Sequence, residues 1–247
     1  MPKIDEIRNT LLKKTREQVR ERFGEKDLHI IRAVNSLDEL DRVFNQLAEQ
    51  IIEWYSAHFP ELARTLNDNE KYLETVSELG ERKNYSINSL EKILKNPEKA
   101  AVVEKKAQSS MGAELGKENL QAIQELCKST LSLREQRNKL SQFIEKETME
   151  LLPNFSKISG KLLAGRMLKA AGSFRKLAFS PSSTIQILGA EKALFRHKRT
   201  GARPPKYGLL FQHPEVQAAI PKEKGKKARK IAGKLSIAAK QDYFAKK

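Results

Sequence analysis

The sequence predicts an all-α fold: a long antiparallel coiled coil with a small helical insertion, followed by a compact, basic helical domain. Three observations predict it. Apolar residues recur at helical spacing along most of the chain, whereas strand patterns are scarce. Charged residues make up 32% of the chain, which suits long, surface-rich helices. Gly and Pro become frequent after about residue 153, where short and tightly packed helices are expected.

These patterns divide the chain into three predicted segments. Residues 1–27 form an N-terminal helix with its linker, residues 28–152 form a coiled-coil dimerisation region, and residues 153–247 form the basic domain. The first helix is expected from Ile4 to Phe23 and ends near Gly24.

The first coiled-coil helix is indicated by apolar residues whose spacing alternates between three and four, a heptad pattern. Ser36 and Glu39 are predicted to form a capping box at its start, and Pro60 is predicted to end or interrupt it. The expected seam consists of Leu37, Leu40, Phe44, Leu47, Ile51 and Trp54.

The second coiled-coil helix is expected from about Lys117 to Leu152, with Leu133, Leu140 and Ile144 in its seam. A short helical insertion separates it from the first helix. Because neither apolar stripe is stable alone, the two helices are expected to pair, and the remaining apolar surface is expected to pair two chains as a homodimer. A globular helical bundle is the alternative.

Positive charge is concentrated in the last predicted segment. Residues 153–247 hold 22 Lys and Arg against 4 Asp and Glu, whereas residues 1–152 hold 25 against 27. A chain that places its whole positive excess on one terminal domain is expected to meet a polyanion there.

Several other kinds of chemistry are not indicated. The single cysteine, Cys127, excludes a disulfide framework and lies in an apolar stripe as a small buried residue. The four histidines match no zinc spacing, and Arg166-Met167 follows Gly160 and Gly165 where a phosphate loop needs Lys and then Ser or Thr. Glu191 has no evident acid-base partner. We therefore expect no metal, no cofactor and no enzyme, and, without an apolar run long enough for a membrane span, a soluble intracellular protein.

Two loops of the basic domain are candidates for RNA contact. One runs from Arg196 to Lys206 and is basic and rich in turn residues; the other, Phe211-Gln-His-Pro214, offers an amide and an imidazole before a helix. Folded RNA is recognised by its shape and by exposed bases. Phe195 and Phe211 are expected in the core. A basic domain could equally bind DNA, and composition does not decide between the two.

Several segments resemble the Nop domain. The run from Ser183 to His197, with Ile187-Leu-Gly-Ala-Glu-Lys-Ala-Leu-Phe-Arg196 at its centre, looks like the signature of that domain, as do Lys206–Pro214 and Lys224–Lys230. Upstream, Glu53–Leu62 and Ser110–Leu115 resemble the coiled-coil region of the same family. The resemblance covers roughly Leu28 to Phe244, and it is greatest to the archaeal Nop core proteins of box C/D ribonucleoproteins.

The resemblance implies a scaffold rather than a catalyst. Such a protein is all-helical and dimerises, and it docks on a box C/D guide RNA whose kink-turn already carries a small ribosomal-type protein. The particle directs ribose 2′-O-methylation of ribosomal and transfer RNA, with fibrillarin as the methyltransferase. An archaeal source implies the cytoplasm and a eukaryotic source the nucleolus. The residues expected to contact RNA are Gln212, His213, Pro214, Lys192, Arg196, Lys224, Lys226, Lys227, Arg229 and Lys230.

The N-terminal region departs from the family pattern. Family members carry a fibrillarin-binding domain before the coiled coil, whereas about 30 residues precede it here. The expectation is a reduced or missing domain, which puts fibrillarin binding in doubt. Alternatives are a splicing-factor-like Nop protein on a spliceosomal kink-turn, an RNA-modifying enzyme and a generic nucleic-acid-binding protein. Splicing relatives tend to carry His where this chain has Gln212, which argues against the first of these.

Overall fold

A computed structural model describes the backbone of residues 2–245 and the side chains from residue 7 to residue 245. Over this range the chain is helical and contains no strand, and 81% helix confirms the all-α prediction. Two 3-10 turns, Arg82–Asn84 and Leu209–Gln212, complement the α-helices. The α-helices are α1 (Pro2–Gly24), α2 (Lys26–Ser56), α3 (Pro60–Thr65), α4 (Asn69–Leu79), α5 (Ile87–Leu94), α6 (Pro97–Gln108), α7 (Lys117–Leu151), α8 (Pro153–Ser159), α9 (Lys161–Ala171), α10 (Phe174–Phe179), α11 (Ser182–Ile187), α12 (Glu191–Thr200), α13 (Pro214–Gln217) and α14 (Lys224–Phe244).

The chain divides into two compact units. Residues 37–139 form one, called here the 37–139 unit, and residues 1–36 with 140–247 form the other, called here the basic unit. The long helices α2 and α7 contribute residues to both. This division concerns compactness, and the functional boundaries after residues 27 and 152 stay a prediction.

Within the 37–139 unit, α2 and α7 run antiparallel. Asp41, near the start of this part of α2, accepts a hydrogen bond from Arg137 Nε at 2.9 Å, and Arg137 lies near the end of the α7 segment. At the other end, Ile51 and Tyr55 share one buried core with Ile123 and Cys127. Helices α3 to α6 form the insertion between the two long helices, and their apolar faces contribute to the same core.

The seam of α2 is shifted by one residue at every second position. Leu37, Phe44 and Ile51 are buried as expected. The intervening positions are taken by the buried Ala48 and Tyr55 rather than by Leu47 and Trp54. Asp41 is half-buried, as Leu40 is, and belongs to the seam through its hydrogen bond with Arg137 of α7. Leu40 and Leu47 are half-buried, and Trp54 is 43% exposed. A search for large apolar residues misses a seam position that holds a carboxylate or an alanine, because the heptad geometry and not the residue size decides which side faces inward.

The inward face of α7 likewise includes polar residues that the sequence analysis passed over. Ile144 is buried as expected, whereas Leu133 and Leu140 are half-buried beside the seam. Alternating steps of three and four connect the inward positions. These are Leu120, Ile123, Cys127, Thr130, Arg134, Arg137, Ser141, Ile144, Thr148 and Leu151.

The basic unit is organised around α14. Its buried face, which includes Ile231 and Leu235, packs against α8, α10, α11 and α13. Near its end the buried carboxylate of Asp242 accepts hydrogen bonds from the backbone N–H groups of Asn154 at 3.0 Å and Phe155 at 2.9 Å, and from the Asn154 side-chain amide at 2.8 Å. Asp242 therefore caps the N-terminus of α8 from a helix almost ninety residues later in the chain.

Helix α9 lies close against the two long helices inside the basic unit. A methyl group at Gly165 would stand 3.1 Å from Ile144 Cγ2, 3.3 Å from Thr148 Oγ1 and 3.4 Å from Val34 Cγ2. Glycine allows this approach because it has no side chain. The close packing of α9 therefore fixes the position of the backbone that carries the next residue, Arg166.

Candidate nucleic-acid interface

Helix α12 has no buried residue. Its Phe195 is 65% exposed, so the expectation that Phe195 lies in the core is wrong. Lys192 and Arg196 are also exposed, one turn apart on the same helix, so both stay candidates for RNA contact. An open groove of about 870 Å³ is lined by Lys192, Ala193, Phe195, Arg196, Lys198 and Arg199. We call this surface the α12 face.

The end of the basic loop after α12 is held by hydrogen bonds to Gln186 of α11. The Gln186 side chain donates to the carbonyl of Lys206 at 2.7 Å, and the Gly208 N–H donates to the carbonyl of Gln186 at 3.0 Å. A methyl group at Gly208 would stand 2.1 Å from the carbonyl oxygen of Leu188, so this position requires glycine. The loop therefore presents its basic side chains from an anchored backbone.

Phe211 lies at the surface beside α14. It is 41% exposed and stacks on Tyr207 with ring centroids 5.3 Å apart and planes inclined by 14°. Lys224 Nζ lies 4.8 Å from the centre of the Phe211 ring, a cation–π contact that joins the 3-10 turn to the start of α14. The expectation that Phe211 lies in the core is therefore also wrong.

Gln212 and His213 are neighbours with opposite placements. Gln212 is exposed, and its Oε1 accepts a hydrogen bond from Arg166 at 2.8 Å. His213 is only 6% exposed. Its Nδ1 accepts from the N–H of Glu215 at 3.2 Å, which leaves the proton on Nε2, and Nε2 donates to the carbonyl of Ile158 at 2.9 Å. The structure thus does not present His213 to a ligand, contrary to the expected RNA contact, because both ring nitrogens are used inside the protein.

Pro214 is exposed and is the first residue of α13, where its fixed backbone angle suits the start of a helix. Together with Phe211, Gln212 and Lys224 it forms a second surface, which we call the Gln212 patch. No contact in the structure connects Lys192 or Arg196 directly with Gln212 among the described residues.

The first turns of α14 carry the densest positive charge. Lys226, Lys227, Arg229 and Lys230 are exposed and Lys224 is half-buried, whereas Ala228 and Ile231 face the core. No acidic residue lies in the first turn. Cations at a helix N-terminus oppose the helix dipole and are unfavourable for the isolated helix, whereas a bound anion there is stabilised.

The charges of this region are not neutralised within the protein. Residues 191–230 contain twelve Lys and Arg against three Glu. None of these twelve basic side chains makes an ion pair with another residue of the described range. Glu191 is exposed and accepts a hydrogen bond from the Gly189 N–H at 2.7 Å, which stabilises the turn before α12. The region is therefore suited to bind a polyanion.

Other site chemistry is limited in the described part of the chain. It holds no group of three His, Cys, Asp or Glu side chains placed to bind a metal ion. The buried thiol of Cys127 is free, and burial raises its pKa to about 12, which suits the expected packing role. Among the described helices, none combines the length and apolar character needed to cross a membrane.

The exposed aromatic rings of this candidate interface were not expected from the sequence. Ala193, Leu194 and His197 form the half-buried side of α12, and Phe195 lies roughly opposite them on the helix, so helical spacing was an available signal of its exposure. Arg166 was considered only as an argument against a phosphate loop, and nothing in the sequence places it beside Gln212, 46 residues away.

Comparison with known proteins agrees with these features. Residues 36–247 match the model of the Nop family, described as "snoRNA binding domain, fibrillarin". An uncharacterized NOP5 family protein of Methanocaldococcus jannaschii is 41% identical over 230 residues, which are 93% of this chain and 55% of that protein. Nucleolar protein 58 of Aspergillus fumigatus is 41% identical over 219 residues, which are 89% of this chain and 37% of that protein. The chain thus spans about half the length, or less, of these relatives.

A solved structure gives independent support for the fold. The structure titled "Crystal structure of fibrillarin/Nop5p complex" contains a chain with a TM-score of 0.54 and 23% identity, over 98% of this chain and 70% of that chain. The match over residues 36–247 and the 41% identity to relatives along most of the chain confirm the resemblance seen in the sequence: this chain belongs to the Nop family.

Proposed function

We propose that this protein is an RNA-binding scaffold of a box C/D-type ribonucleoprotein and not an enzyme. One observation carries the proposal: in a chain of the Nop family, residues 191–230 combine twelve basic side chains, none of them ion-paired within the described chain, with two exposed aromatic rings and the exposed Gln212. Lys and Arg supply affinity for phosphates, and exposed aromatic rings supply stacking for unpaired bases.

The proposed ligand is a kink-turn RNA that already carries a ribosomal-type protein. The α12 face offers Phe195 beside Lys192 and Arg196, an arrangement suited to an unstacked base and its flanking phosphates. The Gln212 patch offers a directed amide beside the cations at the start of α14. The two surfaces are suited to different parts of a composite RNA and protein ligand.

The scaffold role includes guide-directed ribose 2′-O-methylation of ribosomal and transfer RNA. In this proposal fibrillarin supplies the methyl-transfer chemistry as a separate component of the particle. The description of the matched family and the name of the similar solved structure both mention fibrillarin. No described surface of this chain is assigned to it. The proposed particle would act in the cytoplasm of an archaeon or in the nucleolus of a eukaryote.

The test of the function is a gel-shift titration with box C/D kink-turn RNA, with and without the kink-turn-binding protein. A supershift only on the preformed RNA–protein complex is the expected result. Equal, salt-sensitive binding to the free RNA and to duplex DNA would reduce the assignment to a non-specific basic domain.

Two double variants connect the binding to the α12 face. Lys192→Met with Arg196→Met should weaken the supershift and reduce the slope of log K against log salt by up to about 1.8, at about 0.9 per phosphate contact. The matched control, Lys92→Met with Lys99→Met, removes the same charge from exposed positions of the 37–139 unit and should leave both quantities unchanged. An equal effect of the two pairs would contradict the proposed location.

The homodimer is proposed to form along α2 of the 37–139 unit. Leu40, Leu47 and Trp54 recur every seven residues beside the intramolecular seam and remain partly or largely exposed. A stripe with this spacing lies on one side of the helix and could pack against a second chain. Leu47→Glu should halve the mass measured by light scattering at an unchanged helical content, and a monomeric wild-type protein would disprove the proposal.

A further inference from the structure

We propose that Arg166 sets the orientation of the Gln212 side chain, so that its NH₂ group faces outward and selects a hydrogen-bond acceptor on the RNA. Arg166 is thus a positioning residue, and Gln212 is the residue that contacts the ligand. This inference rests on the proposed function for the identity of the ligand. The orientation itself depends only on the contacts within the protein.

The orientation follows from the chemistry of the pair. A guanidinium group carries only hydrogen-bond donors, whereas an amide offers an acceptor oxygen and a donor nitrogen. Arg166 NH1 lies 2.8 Å from Gln212 Oε1. With the amide turned over, two donors would face each other, so the presence of Arg166 decides which end of the amide points inward. The Gln212 nitrogen is left for an external partner.

Both members of the pair are held by neighbouring contacts. Arg166 follows Gly165, whose lack of a side chain allows α9 to pack closely against Ile144. Gln212 precedes His213, which is buried and donates to the carbonyl of Ile158. The backbone on each side of the hydrogen bond is therefore fixed by the interior of the basic unit.

This arrangement has two consequences for recognition. An exposed glutamine normally loses side-chain conformational entropy when it binds a ligand. The hydrogen bond to Arg166 already restricts the Gln212 side chain in the free protein, so the entropy cost of binding is lower. An outward NH₂ group also pairs with a phosphate oxygen, a base carbonyl or a ring nitrogen, and is unsuited to a donor. The chemistry selected at this point of the RNA is an acceptor.

The first experiment measures the orientation without RNA, by NMR of the Gln212 side-chain NH₂ signals. In the wild-type protein these two signals should be distinct from those of a free glutamine. Arg166→Met keeps the length of the side chain and removes the donors, so it should move the signals to free-glutamine positions, whereas Arg166→Lys keeps a donor and should restore part of the shift. Arg175→Met removes an exposed arginine of α10 and serves as the control. Signals that do not respond to Arg166→Met would overturn the inference.

The second experiment measures affinity for the kink-turn RNA carrying its ribosomal-type protein. Gln212→Ala should weaken binding about 10-fold and Arg166→Met about 5-fold, the range expected for one hydrogen bond to a charged acceptor and for its pre-organisation. Gln212→Glu should weaken binding more than Gln212→Ala, because a carboxylate still accepts from Arg166 but presents only oxygens outward. Wild-type affinity of Gln212→Glu would overturn the inference.

A double variant and the salt dependence separate positioning from direct contact. Arg166→Met should cause no further loss of affinity for the RNA when Gln212 is already alanine. It should also leave the slope of log K against log salt unchanged. A full additional loss, or a slope reduced by about 0.9, would show that Arg166 itself contacts a phosphate. If the wild-type protein does not bind the kink-turn complex while the NMR signals respond to Arg166→Met, the proposed function fails and the orientation stands.

Discussion

Replacing His213 by alanine is expected to destabilise the basic unit, although the neighbouring Gln212 can be replaced without loss of stability. His213 is 6% exposed and bonds through both ring nitrogens, to the N–H of Glu215 and to the carbonyl of Ile158. Gln212 is exposed, and its side-chain oxygen accepts a hydrogen bond from Arg166. Adjacent residues therefore separate the stability of the interface from its recognition of a ligand.

The size of the effect follows from the groups left without partners. His213 is the N-cap of α13, and losing a cap costs about 1 kcal/mol. The carbonyl of Ile158 loses its donor, and a buried polar group without a partner costs about 1–3 kcal/mol. The expected loss is therefore about 2–4 kcal/mol. His213→Asn keeps a capping oxygen and is too short to reach Ile158, so it should recover about 1 kcal/mol of that loss.

Urea unfolding followed by circular dichroism measures the stability, and hydrogen exchange of the Glu215 amide reports the capping bond directly. His213→Ala should lower the unfolding midpoint and accelerate exchange at Glu215, whereas Gln212→Ala should change neither quantity. An unchanged midpoint and unchanged exchange in His213→Ala would refute the assignment of a structural role. Loss of stability in Gln212→Ala would show that the bond to Arg166 is part of the fold's support.

Three further predictions follow from burial and exposure. Phe195→Ala should weaken RNA binding about 10-fold, the range for loss of one stacked base, at an unchanged unfolding midpoint because the ring is 65% exposed; unaltered affinity in the gel shift would exclude stacking there. Asp242→Ala should lower the free energy of unfolding by about 3 kcal/mol, because the backbone N–H groups of the half-buried Asn154 and the buried Phe155 lose a charged acceptor. Gln241→Ala at the adjacent exposed position should leave the free energy of unfolding unchanged, and equal urea midpoints for the two variants would disprove this. Cys127 should react with a thiol reagent at pH 8 only after unfolding, because burial raises the pKa of its thiol to about 12; rapid labelling of the native protein would contradict its burial.

The fold class was accessible from the sequence because it depends on periodicity. Residues such as Leu37, Phe44 and Ile51 repeat every seven positions, and their burial is confirmed. The intervening seam positions were not accessible, because Asp41 and Ala48 carry no large apolar group. Only the opposite helix shows that Asp41 faces inward, since Arg137 pairs with it.

For the candidate interface, composition identified the region and the tertiary structure selected the residues. The positive excess after residue 153 is a property of the sequence, as are the segments that resemble the Nop family. The exposure of a side chain cannot be read from the sequence in this way, because it depends on which neighbours cover that side chain in the fold. Phe195 and Phe211 were therefore placed in the core by their residue type, whereas the structure leaves them at the surface.

The sequence by itself determined the helical fold, the positive excess of the last segment and the family, since each depends on residue type and spacing along the chain. The tertiary structure decided the individual roles at the interface. It buried His213, placed Arg166 beside Gln212 across 46 residues of sequence, and left the cations of α14 without ion-pair partners in the described chain. The physical reason is that hydrogen-bond direction and burial are properties of neighbours in space, and local sequence does not specify those neighbours.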